Sequence, residues 1–162
     1  MVNLHQSNVS SVSFPHINDW LKFLDNEQKI PDKIIYKAKI LRHNLLATSQ
    51  HSVLLHGDFH HDNILQNKKN WKIIDPKGVI GEVAFEIPTF IFNPIPELLS
   101  LNNAHKIIEN RVQKFSVSLN IEKDRILNWC FVRAVLGWVW NLEDGLNTHY
   151  YEKFIKIINK LL

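Results

Sequence analysis

The chain has 162 residues, of which 45% are hydrophobic and 22% charged, and its formal net charge is +3. This length suits one domain with a substantial core, and the lysines are scattered along the chain, which argues against a nucleic-acid-binding surface. Because Cys130 is the single cysteine, no internal disulfide can form, and a reducing compartment is the simpler inference. Neither an apolar run of about 18 residues nor a secretory signal pattern is present, so we expect a cytoplasmic protein with no membrane partner.

Two helices are predicted in the N-terminal part. Residues Met1–Ser13 are polar, and we expect them to be poorly ordered. A short helix is predicted over Asp19–Leu24, with Asn18 as its N-cap. A longer helix begins at Pro31 and continues to about Ala47, because apolar residues recur along it at helical spacing.

A polar loop and a β-hairpin follow an apolar run at 53–55. The loop reads His-Gly-Asp and ends in Asp58, and Asn63 lies five residues further on. Two short strands, at 64–65 and 71–74, are joined by a polar turn, which places Asp75 at the end of the second strand. Such a hairpin can bring Asp58, Asn63 and Asp75 to one mouth, because each lies where a strand starts or stops.

The C-terminal half is predicted to be helical. Residues 79–82 are expected to form a loop, and Pro88 interrupts the apolar run that comes next. Apolar spacing then predicts three helices, over Asn102–Ser118, Glu122–Leu142 and about Tyr150–Leu161. The middle helix is apolar nearly all round, as a helix buried among others would be. The predicted fold class is therefore α+β and mainly α, a single domain with helices around a small catalytic β-hairpin.

The three oxygen-bearing side chains of the hairpin suit a hard cation. Mg²⁺ takes one or two carboxylates together with substrate phosphates. In protein-kinase-like phosphotransferases a loop Asp accepts the proton of the acceptor hydroxyl, an Asn shortly after it binds a metal, and a later Asp after a strand binds the metal that bridges the phosphates. By this pattern Asp58 is the candidate base, and Asn63 and Asp75 are the candidate metal ligands.

These residues also resemble a known family. The segments that carry the resemblance are HGDFHHDNIL (56–65), IDPKG (74–78), GEVAFE (81–86), Asn93-Pro94, DRILNW (124–129) and the stretch 138–145. Together they resemble the aminoglycoside phosphotransferases, and most closely the streptomycin 6-kinase and hydroxyurea phosphotransferase branch. The resemblance implies a kinase-like fold and transfer of a phosphoryl group from ATP, with Mg²⁺, to a hydroxyl of a small molecule.

The same resemblance implies that only the C-terminal, substrate-binding lobe is present. Members of this family have an N-terminal ATP-binding lobe with a phosphate-binding Lys, its Glu partner and a loop over the phosphates. No such set precedes Asp58, and there is no G-x-G-x-x-G pattern. A separate polypeptide or a second copy of the chain would then complete the ATP cleft.

Two neighbouring histidines leave a metal-site alternative open. His60 and His61, with Asp58 and Asp62, could form a transition-metal site. This Gly-Asp-x-His pattern is also found in metallophosphoesterases, although their further metal-binding motifs are absent from the sequence. His56 is expected to be structural and to bond the loop backbone.

Further polar residues are candidates for binding substrate. Lys77 is a candidate for contacting phosphate. Glu82, Glu86, Glu143 and Asp144 could meet a cationic acceptor, since carboxylates pair well with such groups.

The function expected by resemblance is therefore that of an antibiotic-resistance kinase. It would transfer phosphate from ATP to a hydroxyl of a small molecule, with an aminoglycoside of the streptomycin type as the leading acceptor. The alternative is a truncated, catalytically weak lobe that acts as a binding or vestigial module, because catalysis in this class depends on clamping the phosphates.

Overall fold

The computed structural model describes His5, residues 14–26 and residues 29–162. The expectation that Met1–Ser13 is poorly ordered therefore concerns residues that, His5 apart, lie outside the described part. Within that part, no helix combines the length and the apolar character needed to cross a membrane.

The described chain is mainly helical with two small antiparallel sheets, which confirms the predicted fold class. The helices are α1 (Ile17–Leu21), α2 (Asp32–Ala47), α3 (Ile87–Phe92), α4 (Glu97–Ser100), α5 (Ala104–Leu119), α6 (Lys123–Glu143) and α7 (His149–Leu161). The strands are β1 (Val53–Leu55), β2 (Ile64–Asn67), β3 (Asn70–Ile73) and β4 (Val79–Gly81), and short 3-10 turns cover Lys22–Asp25, His61–Asn63 and Val83–Phe85.

One of the two sheets is the predicted hairpin. Strands β2 and β3 pair with Ile64 opposite Ile73 and Asn67 opposite Asn70. The other sheet corrects the prediction of a loop over residues 79–82, because β4 pairs with β1 and places Val79 opposite Leu55. A three-residue strand has too little periodicity to be recognised locally, and its partner lies far away in the sequence.

The core is built around α6. As predicted, this helix is buried nearly all round, with Trp129 and Phe131 among the largest fully buried side chains. It packs against α2, α3, α5 and α7. The single cysteine, Cys130, lies inside this core, where burial raises the pKa of its thiol.

The segment that leads into α1 lies beside β4. The helix begins at Ile17 and not at Asp19, and His16 is its N-cap in place of Asn18: the His16 ring accepts the Asn18 N–H, and Asp19 accepts the His16 N–H. The Pro15 carbonyl accepts a hydrogen bond from the Ile80 N–H at 2.8 Å, which ties this segment to β4.

Candidate active site

The loop after β1 is held in a sharp turn at Gly57. This residue has φ of +83°, in the left-handed region that favours glycine. A Cβ at Gly57 would lie 2.8 Å from the Trp20 ring, so a side chain would also collide with α1. The glycine of the His-Gly-Asp motif is therefore required both by its backbone conformation and by close packing.

A buried carboxylate holds this turn from beneath. The two oxygens of Glu86 accept hydrogen bonds from the backbone N–H groups of His56 (2.5 Å) and Gly57 (2.9 Å). Glu86 is almost completely buried, and burial raises the pKa of its carboxyl. This placement favours a structural role over the predicted substrate contact, because both oxygens are already bonded to the loop.

His56 connects the loop to the segment after β3, as expected for a structural residue. Its Nδ1 accepts the Asp58 N–H at 3.3 Å, so Nε2 carries the ring proton and donates to the Ile74 carbonyl at 2.8 Å. Its own carbonyl accepts the N–H groups of Lys77 (2.8 Å) and Gly78 (3.1 Å). The three bonds to Ile74, Lys77 and Gly78 fasten residues 74–78 to the catalytic loop.

Asn63 ties the start of β2 to the same cluster. Its carbonyl accepts the Ile74 N–H at 3.0 Å, and its side-chain Nδ2 donates to the main-chain carbonyl of Asp58 at 2.9 Å. Backbone bonds through His56 and Asn63 thus bring the segments of Asp58, Asn63 and Asp75 together, as the sequence predicted.

Asp58 presents a partly open carboxylate. Its side chain is 33% exposed, and Oδ1 lies 3.6 Å from the His60 Nε2. No contact closer than this fixes the carboxylate among the described hydrogen bonds and ion pairs, so an incoming hydroxyl can reach it.

Asp75 is exposed and pairs with Lys77. It has a left-handed backbone with φ of +55°, which Asp tolerates better than most residues. The Lys77 Nζ donates to Oδ2 at 2.8 Å, and this bond lowers the pKa of Asp75 and raises that of Lys77. Lys77 therefore contacts the candidate metal ligand, and its predicted contact with phosphate stays a prediction.

The donor set fits Mg²⁺. Asp75 offers a carboxylate at the surface, and Asn63 is buried with its Nδ2 engaged, so its Oδ1 is the atom of this side chain that could bind a cation. A carboxylate with an amide oxygen is the kind of set that Mg²⁺ uses together with substrate phosphates and water.

The two histidines of the loop, His60 and His61, contact different groups. His60 lies between Asp58 and Asp62, at 3.6 and 3.5 Å. His61 instead stacks on Phe90 at 4.2 Å between ring centroids. No group of three or more His, Cys, Asp and Glu side chains in the described ranges could hold a metal ion. This geometry disfavours the metallophosphoesterase alternative.

Glu82 also lies in the interior. It accepts hydrogen bonds from Arg125 (2.5 and 2.7 Å) and from the Trp129 Nε1 (2.7 Å). This network joins β4 to α6, and it favours a structural role over the predicted substrate contact.

The other two acidic candidates are available to solvent. Glu143 ends α6 and Asp144 is its C-cap, and both are exposed. Their contact with a cationic acceptor stays a prediction.

Two residues near the loop were not singled out from the sequence. Trp20 packs on Gly57, and Arg133 lies among the rings of Trp20, Phe85 and Trp140. A signal for Arg133 was available, because it is the one charged residue in the apolar stretch 129–140.

The sequence is similar to those of known kinases. A family described as aminoglycoside/hydroxyurea antibiotic resistance kinase matches residues 3–145. The streptomycin 6-kinase of Streptomyces griseus is 26% identical over 57% of this chain and 31% of its own length. The streptomycin 3''-kinase of Klebsiella pneumoniae is 30% identical over 67% of this chain and 42% of its own length.

A further relative and a solved structure complete the comparison. The hydroxyurea phosphotransferase of Kitasatospora aureofaciens is 29% identical over 57% of this chain and 25% of its own length. The matches to these three relatives thus span between a quarter and two fifths of their lengths. A choline/ethanolamine kinase family protein from Mesorhizobium loti shares the fold, with a TM-score of 0.59 and 15% identity over 98% of this chain and 57% of that one. The family match covers most of the sequence, and the chain belongs to the aminoglycoside/hydroxyurea antibiotic resistance kinase family.

Proposed function

We propose that the chain carries the transfer site of an ATP-dependent phosphotransferase that modifies a hydroxyl of a small molecule. The observation that carries this proposal is the backbone network of His56 and Asn63, which gathers the segments of Asp58, Asn63 and Asp75. The leading acceptor is an aminoglycoside of the streptomycin type, because two of the relatives are named streptomycin kinases.

In the proposed reaction Asp58 orients the acceptor hydroxyl and takes its proton. The hydroxyl oxygen forms a bond to the γ-phosphorus of ATP while the bond from that phosphorus to the β,γ-bridging oxygen breaks, which releases ADP. Asp58 suits this role because its carboxylate is partly exposed and its backbone is held by His56 and Asn63.

Asn63 and Asp75 would hold Mg²⁺, which when bound neutralises charge on the phosphate oxygens. Lys77 would contribute a positive charge beside them. Lys77 forms an ion pair with Asp75, so a bound metal would compete with Lys77 for Asp75, and phosphate would compete with Asp75 for Lys77.

The rest of the ATP cleft would come from protein outside these 162 residues. Large apolar side chains of the hairpin, Leu65, Trp71 and Ile73, are exposed next to the site. A two-stranded hairpin with exposed apolar residues is marginal alone in water, which supports further protein packing there.

Calorimetric titration of the chain with ATP, with and without Mg²⁺, tests the proposal. We expect saturable binding that needs Mg²⁺ and weakens in Asp75→Asn. Asp62→Asn is the matched control, because Asp62 is an 85% exposed carboxylate in the same loop. Absence of ATP binding at millimolar concentration, both by the chain alone and with the protein that completes the cleft, would contradict the proposal, and binding of streptomycin alone would then favour the alternative of a binding module.

A further inference from the structure

Arg133 is a charged side chain in the interior of α6. Only 6% of it is exposed, and its Cζ lies over the rings of Phe85 (4.7 Å), Trp140 (5.5 Å) and Trp20 (5.7 Å). Its Nη2 donates to the Thr89 Oγ1 at 3.1 Å, whereas Nε and Nη1 are buried without a hydrogen-bond partner in the described structure. Burial lowers the pKa of Arg133 to about 10, so the guanidinium is still charged at neutral pH.

A buried charge of this kind destabilises the folded protein unless nearby groups compensate it. Aromatic rings attract a guanidinium, but they do not replace the hydrogen bonds that it loses with water. The charged and titratable groups that face Arg133 are Glu86, Asp58 and Tyr151. Glu86 lies three residues before Thr89, so the same segment receives the hydrogen bond of Arg133 and faces its charge.

Glu86 in turn needs a positive charge nearby. Each of its two oxygens accepts a backbone N–H, from His56 and from Gly57, and this arrangement fits the ionised carboxylate. A protonated carboxyl would turn one acceptor into a donor. Burial favours that protonated form, and it is opposed by the backbone N–H groups of His56 and Gly57 and by the charge of Arg133.

We propose that Arg133 is a positioning residue of the transfer site, the buried counter-charge that keeps Glu86 ionised and bonded to the turn that presents Asp58. The inference rests on the proposed function only for the statement that this turn presents the residue that takes part in phosphoryl transfer. Arg133 acts through Glu86 and touches neither acceptor nor nucleotide.

Four variants separate the effect of the Arg133 charge from the effect of its packing. Arg133→Met removes the charge and keeps a long side chain, Arg133→Lys keeps the charge, and Glu86→Gln removes the opposing charge. The fourth is the double variant Arg133→Met/Glu86→Gln. The measurements are the urea midpoint of unfolding and the amide proton shift of Gly57 in ¹⁵N-labelled chain, followed over pH without any ligand.

The expected results have definite signs. Arg133→Met lowers the urea midpoint and moves the pH midpoint of the Gly57 amide shift upward, because Glu86 loses its counter-charge. Arg133→Lys keeps that pH midpoint near the wild-type value. The double variant loses less stability than the sum of the losses in the two single variants, since an uncompensated buried carboxylate is no longer present.

Three outcomes would overturn the proposal. They are additive losses in the double variant, an unchanged pH midpoint in Arg133→Met, and a Lys variant as perturbed as the Met variant. If Arg133→Met does not fold, a folded double variant supports the proposal and an unfolded one contradicts it. None of these measurements needs ATP or an acceptor, so failure of the proposed function is detected separately, by calorimetry.

Discussion

The Nδ2 of Asn63 donates a hydrogen bond to the main-chain carbonyl of Asp58 at 2.9 Å. The candidate metal ligand therefore also holds the segment of the candidate base. Asn63→Ala should lower the free energy of unfolding by about 1 kcal/mol, the usual net value of one such bond, and should weaken Mg²⁺-dependent ATP binding. Urea denaturation and calorimetry measure the two effects.

Asn63→Asp is the informative companion variant. It keeps an oxygen ligand and loses the donor, so we expect Mg²⁺-dependent ATP binding to persist while stability falls. Equal ATP affinity in wild type and Asn63→Ala would remove Asn63 from the metal site.

Asp58→Asn should stop transfer without unfolding the chain. General-base catalysis contributes about 10²- to 10⁴-fold, so turnover with Mg²⁺-ATP and streptomycin should fall by a factor in that range. The urea midpoint should change little, because the Asp58 carboxylate accepts none of the described hydrogen bonds and its nearest ion-pair partner, His60, lies 3.6 Å away. Phosphorylated streptomycin is measured by mass spectrometry, with Asp62→Asn as control, and undiminished turnover would exclude Asp58 as the base.

Lys77→Met should change the titration of Asp75. The hydrogen bond from Lys77 lowers the pKa of Asp75, so the interaction is present above the ordinary Asp range and is lost as pH falls through the lowered pKa. Without Lys77 the pKa of Asp75 should rise toward about 3.9. The side-chain ¹³C shift of Asp75 measures this change, and an identical titration in both proteins would mean that the ion pair does not form in solution.

The same variant separates metal binding from nucleotide binding. At neutral pH Asp75 stays ionised in both proteins, so Mg²⁺ alone should bind more tightly once Lys77 no longer competes. ATP affinity should fall if Lys77 contacts phosphate. An unchanged ATP affinity would assign Lys77 to the ion pair alone.

Glu82→Gln should be destabilising and leave the site intact. Removing the charge breaks the network with Arg125 and Trp129, and because Arg125 is partly exposed we expect a loss of about 2–4 kcal/mol. ATP affinity of the folded protein should not change. Glu143→Gln is the control at an exposed position, where stability should change by less than about 0.5 kcal/mol; a selective loss of nucleotide or acceptor binding in Glu82→Gln would restore its substrate role.

The sequence was most informative where structure and chemistry are local. The hairpin followed from turn residues between short apolar runs, and the buried helix α6 followed from its apolar surface on all sides. That the segments of Asp58, Asn63 and Asp75 adjoin was predictable, because each residue lies within three residues of a strand end in one short stretch of sequence.

The contacts that could not be predicted join distant parts of the chain. Glu82 meets its partners 43 and 47 residues away, and Glu86 meets the loop 29 and 30 residues away. A carboxylate in a polar-looking segment has the same local pattern whether it faces solvent or holds a buried loop. The pairing of β1 with β4 was also missed, because the two strands are distant from each other in the sequence.

Asp58, Asn63 and Asp75 are proposed to form one metal-nucleotide transfer site, and paramagnetic NMR measures whether they do. Mn²⁺ prefers the same oxygen ligands as Mg²⁺ and broadens the signals of nearby nuclei. Addition of Mn²⁺-ATP to ¹⁵N-labelled chain should broaden the amide signals of Asn63 and Asp75 most strongly. Excess Mg²⁺-ATP should reverse the effect, and Asp75→Asn should abolish it. Unbroadened signals at Asn63 and Asp75, with broadening elsewhere or nowhere, would contradict the account.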